Sequence, residues 1–190
     1  VRAGKQEKPV SGLEVWGKTI GVIGTGRIGK GVVQRAAGFN MNILANDAYP
    51  DRAFLERFGG QYVDLDRIYR EADFITIHAP LTDTTKNMIN ERALSMMKPT
   101  AVLINAARGG IVDEAALYTA LKEHQIYGAA LDATEIEPAC GSPLALLDNC
   151  ILTPHAGAAT REASLKMGLL AAQNVIDVLQ GKKCQYIVNE

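Results

Sequence analysis

Gly24, Gly26 and Gly29 fall at G-x-G-x-x-G spacing between a short apolar run, Thr19 to Ile23, and a helix-period pattern that begins at Lys30 and continues through Val32, Val33 and Ala36. Each glycine has a mechanical use. Gly24 allows a tight turn, Gly26 lets backbone approach a pyrophosphate, and Gly29 lets helix and strand pack closely. A helix starting there offers free N–H groups and a positive dipole end to phosphate oxygens. The motif alone also fits an ordinary strand–turn–helix corner. Its context favours a dinucleotide, because a second strand-like run, Met41 to Ala45, ends at Asn46-Asp47, and Asp47 lies 18 residues past Gly29. That is close to the acidic position that holds an adenosine ribose. A carboxylate there accepts from ribose hydroxyls and repels a 2′-phosphate, so the expected cofactor is NAD rather than NADP. Taken by itself, Asp47 would also suit a solvated turn before Pro50.

Three further ionisable residues could handle protons and carboxylates. Arg108 follows Asn105-Ala106-Ala107 and precedes two glycines. The small alanines would let a cofactor pass close to the backbone, and the guanidinium offers a fixed fork of donors to a carboxylate and a carbonyl. A surface arginine at a strand-to-helix turn fits the same residues. Glu137 precedes Pro138, and His155 lies between Pro154 and Ala156-Gly157. Singly, each suits a loop. Together, a Glu beside a His is how an enzyme orients an imidazole and keeps it protonated near neutral pH. Reducing a ketone needs one hydride and one proton; a nicotinamide can supply the first and such a pair the second.

The elements that must position these groups alternate. Strands are expected at 19–23, 41–46, 73–78, 100–105, 127–131 and 150–152. Helices are expected at 30–38, 51–58, 64–71, 90–97, 113–124 and 163–179, the last long and amphipathic and stopped by Gly181. The run at 100–105 has the continuous apolar character of a parallel strand covered on both faces. Trp16 reads as a packing anchor and residues 5–11 as a connecting loop. Alternation of this kind implies right-handed βαβ units and an α/β fold with a doubly wound parallel sheet, in which ligands bind beyond the carboxyl ends of the strands. Asp47, His78, Asn105 to Arg108, Asp132 and His155 all follow expected strands, so they should converge on one edge.

At 190 residues, with 47% apolar and 22% charged side chains, the chain can build one sizeable core. A net charge of −1 argues against nucleic-acid or membrane electrostatics. Cys140, Cys150 and Cys184 are few, odd in number and lack C-x-x-C spacing, which suggests reduced thiols, no metal site and a cytoplasmic setting. No apolar run approaches the ~18 residues of a membrane span, and no signal peptide is evident. A start at Val1 rather than Met fits a fragment or processed product.

The sequence resembles the D-isomer-specific 2-hydroxyacid dehydrogenases. Four motifs carry the resemblance: Gly24-Thr-Gly-Arg-Ile-Gly29 with Asp47; His78-Ala-Pro-Leu with Thr85-Lys-Asn-Met-Ile89; Leu103-Ile-Asn-Ala-Ala-Arg-Gly-Gly-Ile-Val-Asp113; and Gly128-Ala-Ala-Leu-Asp132 through Glu137-Pro138 to Pro154-His-Ala-Gly157. They occur in order along nearly the whole chain, and the nearest likeness is to phosphoglycerate dehydrogenase-like members. The resemblance implies a Rossmann NAD-binding domain at 19–160, a linker at 1–18, and a C-terminal helix and tail at 161–190 reaching toward a substrate domain that is largely missing. It implies an oxidoreductase that moves a hydride between NAD(H) and C2 of a D-2-hydroxy or 2-keto acid. Arg108 would bind the substrate carboxylate or keto oxygen, His155 would relay the proton, and Glu137 would pair with His155. Arg27 and Ile28 would meet the pyrophosphate through backbone amides, and Asp47 the ribose. His78, Ala79, Pro80, Ala106 and Ala107 would line the cofactor cleft. Asp132 would face the nicotinamide end, with Ala156, Gly157 and Ala158 close by. The resemblance also implies a homodimer through the cofactor domain.

One departure is Ala133-Thr134, where many members carry Val-Phe. The larger one is the absence of the N-terminal segment that forms the other wall of the substrate cleft. An isolated chain of this length is therefore expected to bind NAD but to turn over poorly. A second reading is an NAD-sensing interaction module, as in corepressors that resemble these enzymes and keep catalytic-looking residues without physiological turnover.

Overall fold

The computed structural model describes residues 12–184 and Tyr186. The expected loop at 5–11, most of the linker and the tail beyond Cys184 other than Tyr186 lie outside the described residues. Seven strands form one sheet: β1 Thr19–Ile23, β2 Asn42–Asn46, β3 Gln61–Tyr62, β4 Phe74–Ile77, β5 Val102–Asn105, β6 Gly128–Leu131 and β7 Cys150–Leu152. The order is β3-β2-β1-β4-β5-β6-β7, and every pairing is parallel. The direction of travel across the sheet reverses between β1 and β4, so a crevice opens beyond their carboxyl ends.

Six helices complete the layers: α1 Arg27–Gly38, α2 Arg52–Glu56, α3 Leu65–Glu71, α4 Glu91–Ser95, α5 Glu114–Lys122 and α6 Arg161–Leu179. Val33 and Ala36 of α1 and Phe54 and Leu55 of α2 pack on Ile20, Val22, Ile43 and Ala45 on one face. Ile68, Leu94, Leu117 and Leu121 of α3 to α5 pack with Ile75, Ile77, Leu103 and Leu131 on the other, in the larger core. Burying a Leu or Ile side chain fully is worth about 1.5–3 kcal/mol, so these faces fix which way each strand points. The N-termini of α2 to α6 are capped by the side chains of Asp51, Asp64, Asn90, Asp113 and Thr160. Four of these five helices begin within one residue of the expected starts because a side-chain cap marks them in the sequence.

Three expectations are corrected. Helix α1 begins at Arg27 rather than Lys30, because the last three residues of the glycine motif already form its first turn. Trp16 is 61% exposed and anchors nothing among the described residues. Strand β5 is not covered evenly on both faces, since Val102 and Ile104 are only half-buried while Leu103 and Asn105 are buried. The two-residue strand β3 is too short to leave a period in the sequence. Helix α6 differs from the other helices in having no buried residue, and Leu165, Met167, Leu169, Leu170, Val175, Ile176, Val178 and Leu179 are exposed along it.

At the opposite end of the sheet, Asp73 ties three segments together. Its carboxylate accepts from Thr19 N at 2.9 Å and pairs with Lys98 Nζ at 2.9 Å. Burial would push its pKa up, but those two partners outweigh it and hold the carboxyl below its ordinary range. A depressed folded-state pKa means that this support is complete above about pH 4 and is lost as the pH falls through the lower folded value. Asp73→Ala should cost about 1.5–3 kcal/mol at neutral pH and much less near pH 2. Thermal melts at the two pH values check this.

Candidate active site

The expected polar residues do collect at the carboxyl edge of the sheet, held by backbone contacts more than by one another. Gly24 has a φ of +91°, and a Cβ there would lie 2.6 Å from Ala79 N and 2.8 Å from the His78 carbonyl oxygen. A Cβ on Gly29 would sit 1.9 Å from the Gly24 carbonyl oxygen. The end of β1, the exit of β4 and the first turn of α1 therefore meet with no room for a methyl between them. A Cβ on Gly26 would meet nothing within 4 Å, so that backbone faces open space. The α1 N-terminus has no acidic residue in its first turn and, unlike α2 to α6, no side-chain cap. Its amides, including those of the exposed Arg27 and Ile28, are available to an anion.

Asp47 lies one residue past β2. One carboxylate oxygen, Oδ2, accepts from Thr25 N and, at 3.0 Å, from Thr25 Oγ1; the other, Oδ1, accepts from Tyr49 N at 2.8 Å. Partial burial raises the pKa of Asp47, but the hydrogen bonds from Tyr49 and Thr25, with the charge of Lys30, outweigh it and hold the group ionised. His78 follows β4. Its Nε2 bonds Thr76 Oγ1 at 2.9 Å, and burial lowers its pKa, so it is a neutral ring at pH 7. Ala79 is half-buried and Pro80 exposed; the Pro80 carbonyl accepts from Thr85 Oγ1 at 2.6 Å.

Beyond β5, the side chain of Asn105 is buried and shapes the turn. Its Nδ2 donates to the Arg108 and Ala133 carbonyls at 2.9 and 3.3 Å, and its Oδ1 accepts from Ala107 N at 3.1 Å. Ala106 is exposed, but Ala107 belongs to the main core, so only its backbone can reach the cleft. Arg108 donates from Nη1 to the Ala107 carbonyl at 2.7 Å.

Beyond β6 and β7, His155 Nδ1 lies 2.9 and 3.0 Å from the two oxygens of Glu137. That hydrogen bond holds the Glu137 carboxyl below its ordinary pKa, and it leaves Nε2 as the ring nitrogen without a partner among the described residues. Both side chains are nearly half exposed, so the pair adds little to stability; its value is orientation. Asp132, Thr153 and both members of the pair line a cleft of about 300 Å³. Arg108 is not among its walls and makes no hydrogen bond to the pair.

Asp132 holds the loop that carries His155. Its Oδ1 accepts from Thr153 Oγ1 and, at 2.7 Å, from Ala156 N; its Oδ2 accepts from Gly157 N at 2.8 Å. His155 has a φ of +51°, a conformation that costs a non-glycine residue roughly 1–3 kcal/mol, and these three bonds brace it. Ala158 is exposed just past the loop. Sequence reasoning missed Thr25, Tyr62 and Thr153, because a lone hydroxyl residue carries no local signal of a partner 20 or more positions away.

Residues 1–157 match the family described as D-isomer specific 2-hydroxyacid dehydrogenase, NAD binding domain. Over 183 residues the chain is 46% identical to the D-3-phosphoglycerate dehydrogenase of Methanocaldococcus jannaschii, covering 96% of this chain and 35% of that protein. Over 179 residues it is 46% identical to the glyoxylate reductase of Pyrococcus furiosus, covering 94% and 53%. The NAD-complexed crystal structure of a D-isomer specific 2-hydroxyacid dehydrogenase from Lactobacillus delbrueckii ssp. bulgaricus is similar with a TM-score of 0.86 and 33% identity, over 93% of this chain and 58% of that one. The chain belongs to the D-isomer-specific 2-hydroxyacid dehydrogenases, as their NAD-binding domain. It spans between 35% and 58% of the length of these relatives. NAD is its cofactor, and the residues fit it: an uncapped helix start beside open backbone at Gly26 suits the pyrophosphate, and an ionised Asp47 suits an unphosphorylated ribose. Among the described residues no cluster could hold a metal ion, and no helix is long and apolar enough to cross a membrane.

The hydrogen bond from Thr153 is the main reason that Asp132 titrates below its ordinary range; burial opposes it, and the bonds from Ala156 and Gly157 add to the lowering. The loop should therefore stay fastened as the pH falls through the usual carboxylate range near 4 and loosen only below it. Asp132→Ala should speed hydrogen exchange of the Ala156 and Gly157 amides about tenfold or more at neutral pH. NMR exchange rates of those two amides are the check.

Proposed function

We propose that the chain is the nucleotide-binding half of an NAD-dependent D-2-hydroxyacid dehydrogenase acting on a small 2-hydroxy or 2-keto acid, with 3-phosphoglycerate the first substrate to test. The observation that carries this reading is the His155–Glu137 hydrogen bond, on the edge of the sheet that holds the glycine loop. Relatives named D-3-phosphoglycerate dehydrogenase and glyoxylate reductase support a substrate of this class. When bound, the nicotinamide supplies or takes the hydride at C2. The chain's own residues do the rest. With Nδ1 engaged by Glu137, His155 Nε2 is the atom that gives a proton to the keto oxygen in reduction and takes one from the hydroxyl in oxidation. Glu137 fixes the tautomer and the ring plane. Arg108 exchanges its contact with the Ala107 carbonyl for the substrate carboxylate or keto oxygen, where its fork suits a planar anion.

The same reading assigns residues 19–160 to the cofactor domain and 161–190 to a helix and tail that meet a substrate-binding segment outside this chain. The exposed apolar residues of α6 support it, because so large an exposed apolar surface is normally covered by a partner segment. A homodimer through the cofactor domain and a cytoplasmic setting belong to it as well.

In the intact protein, His155→Ala should lower NADH-dependent reduction of 2-keto acids by about 10²–10⁴ while NADH still binds. Undiminished turnover would remove His155 from the mechanism. Tight NADH binding by the intact protein without turnover of any keto acid would point instead to a nucleotide-sensing module. The 190-residue chain alone should bind NADH in a fluorescence titration and show little turnover.

A further inference from the structure

Asp47 is oriented by a directed chain of hydroxyls. Tyr62, the last residue of β3, places its OH 2.8 Å from Thr25 Oγ1. Thr25, 4% exposed, places that oxygen 3.0 Å from Asp47 Oδ2. The Tyr62 oxygen also accepts from Asp51 N at 3.1 Å. A backbone N–H only donates and an ionised carboxylate only accepts, so the two ends fix the sense of the bonds between them. The N–H of Asp51 donates to Tyr62, Tyr62 donates to Thr25, and Thr25 donates to Asp47. Aligned hydroxyls of this kind polarise one another. Both acceptor positions on Oδ2 are then filled, by Thr25 N and Thr25 Oγ1, and Oδ1, already bonded to Tyr49 N, keeps a free position for a ligand.

Two neighbours fit the same purpose. The carboxylate of Asp51 caps α2 through Phe54 N and pairs with Lys30 on α1. The Lys30 ammonium also lies 4.9 Å from the centroid of the Phe54 ring. A cation that could attract a 2′-phosphate is thus tied to a carboxylate and a ring face, while Asp47 stays charged beside it.

We propose that Tyr62 is a positioning residue for nucleotide choice: acting through the Thr25 hydroxyl, it holds Asp47 in the orientation that selects NAD over NADP. The proposal rests on the reading of Asp47 as the carboxylate that meets the adenosine ribose. Without the tyrosine OH, the Thr25 hydroxyl has no donor behind it and is free to turn from Asp47. The carboxylate then keeps its charge and its two backbone bonds but loses the side-chain bond that fills the second acceptor position of Oδ2.

The test is fluorescence titration of the full chain with NADH and with NADPH, using Tyr62→Phe, Thr25→Val, Thr25→Ser, Asp47→Ala and the double variant Tyr62→Phe/Asp47→Ala. Tyr62→Phe and Thr25→Val should weaken NADH binding roughly three- to tenfold, the scale of one hydrogen bond, and leave NADPH binding unchanged or tighter. Thr25→Ser keeps the hydroxyl and should behave as the parent. In the Asp47→Ala background, Tyr62→Phe should add nothing. Unchanged NADH binding in Tyr62→Phe would overturn the proposal. So would an equal loss for both nucleotides, or the same loss with Asp47 absent, since either would mean general damage to the loop. If Asp47→Ala itself leaves the preference for NADH intact, the ribose assignment fails and the role of Tyr62 fails with it. If Asp47→Ala abolishes the preference and Tyr62→Phe does not touch it, only the role of Tyr62 fails.

Discussion

The ligand edge of this fold depends on a steric constraint. Three backbone segments, leaving β1, leaving β4 and entering α1, touch without a side chain between them, and a methyl group at Gly24 or Gly29 would overlap carbonyl or amide atoms. That contact sets the α1 N-terminus over the crevice where the strand order reverses. It brings residues far apart in sequence, from Thr25 to His155, to one edge of a sheet whose parallel ladder fixes their heights. The polar chemistry is built on this packing and would be misplaced by a small change in it, because close-packed interiors transmit displacement rather than absorb it.

The two ends of the crevice use the same device. Asp47 at one end and Asp132 at the other each accept two backbone N–H groups and a threonine hydroxyl, and each stays ionised because those donors favour the charged form. Neither depends mainly on an opposite charge, so salt, which screens exposed ion pairs, should disturb them little. The His155–Glu137 pair is different. It is half open to solvent, and its geometry is borrowed from the loop that Asp132 holds. The His155 ring is thus positioned through two carboxylates, Glu137 touching the ring and Asp132 touching the backbone next to it.

Much of this was legible in the sequence. The glycine spacing, the apolar runs of β1, β4 and β5 and the cap residues Asp51, Asp64, Asn90 and Asp113 are local signals, and they placed the main layers and the residues at the edge. What could not be read was anything that depends on contacts between distant segments. Strand β3 is only two residues long, and its existence depends on pairing with β2. Trp16 looked like an anchor by type alone, yet it faces solvent. Asp132 could be placed at the edge because it follows β6, but nothing local says that its carboxylate accepts from Thr153, Ala156 and Gly157. The sequence places Arg108 beyond the same edge as Glu137 and His155, but it does not say that the guanidinium bonds the Ala107 carbonyl of its own turn. Thr25 occupies an unspecified position of the glycine motif, so nothing in the motif says that its hydroxyl links β3 to β2.

The bare start of α1 has a consequence for how the protein behaves in a cell. Five helices bring their own caps, and the sixth leaves its first amides to be satisfied by whatever anion arrives. A nucleotide that fills that place acts as the missing cap and stabilises the fold by mass action, by about 2.7 kcal/mol at a free concentration a hundred times its Kd. Resistance to unfolding and to proteolysis should then rise with the free dinucleotide concentration.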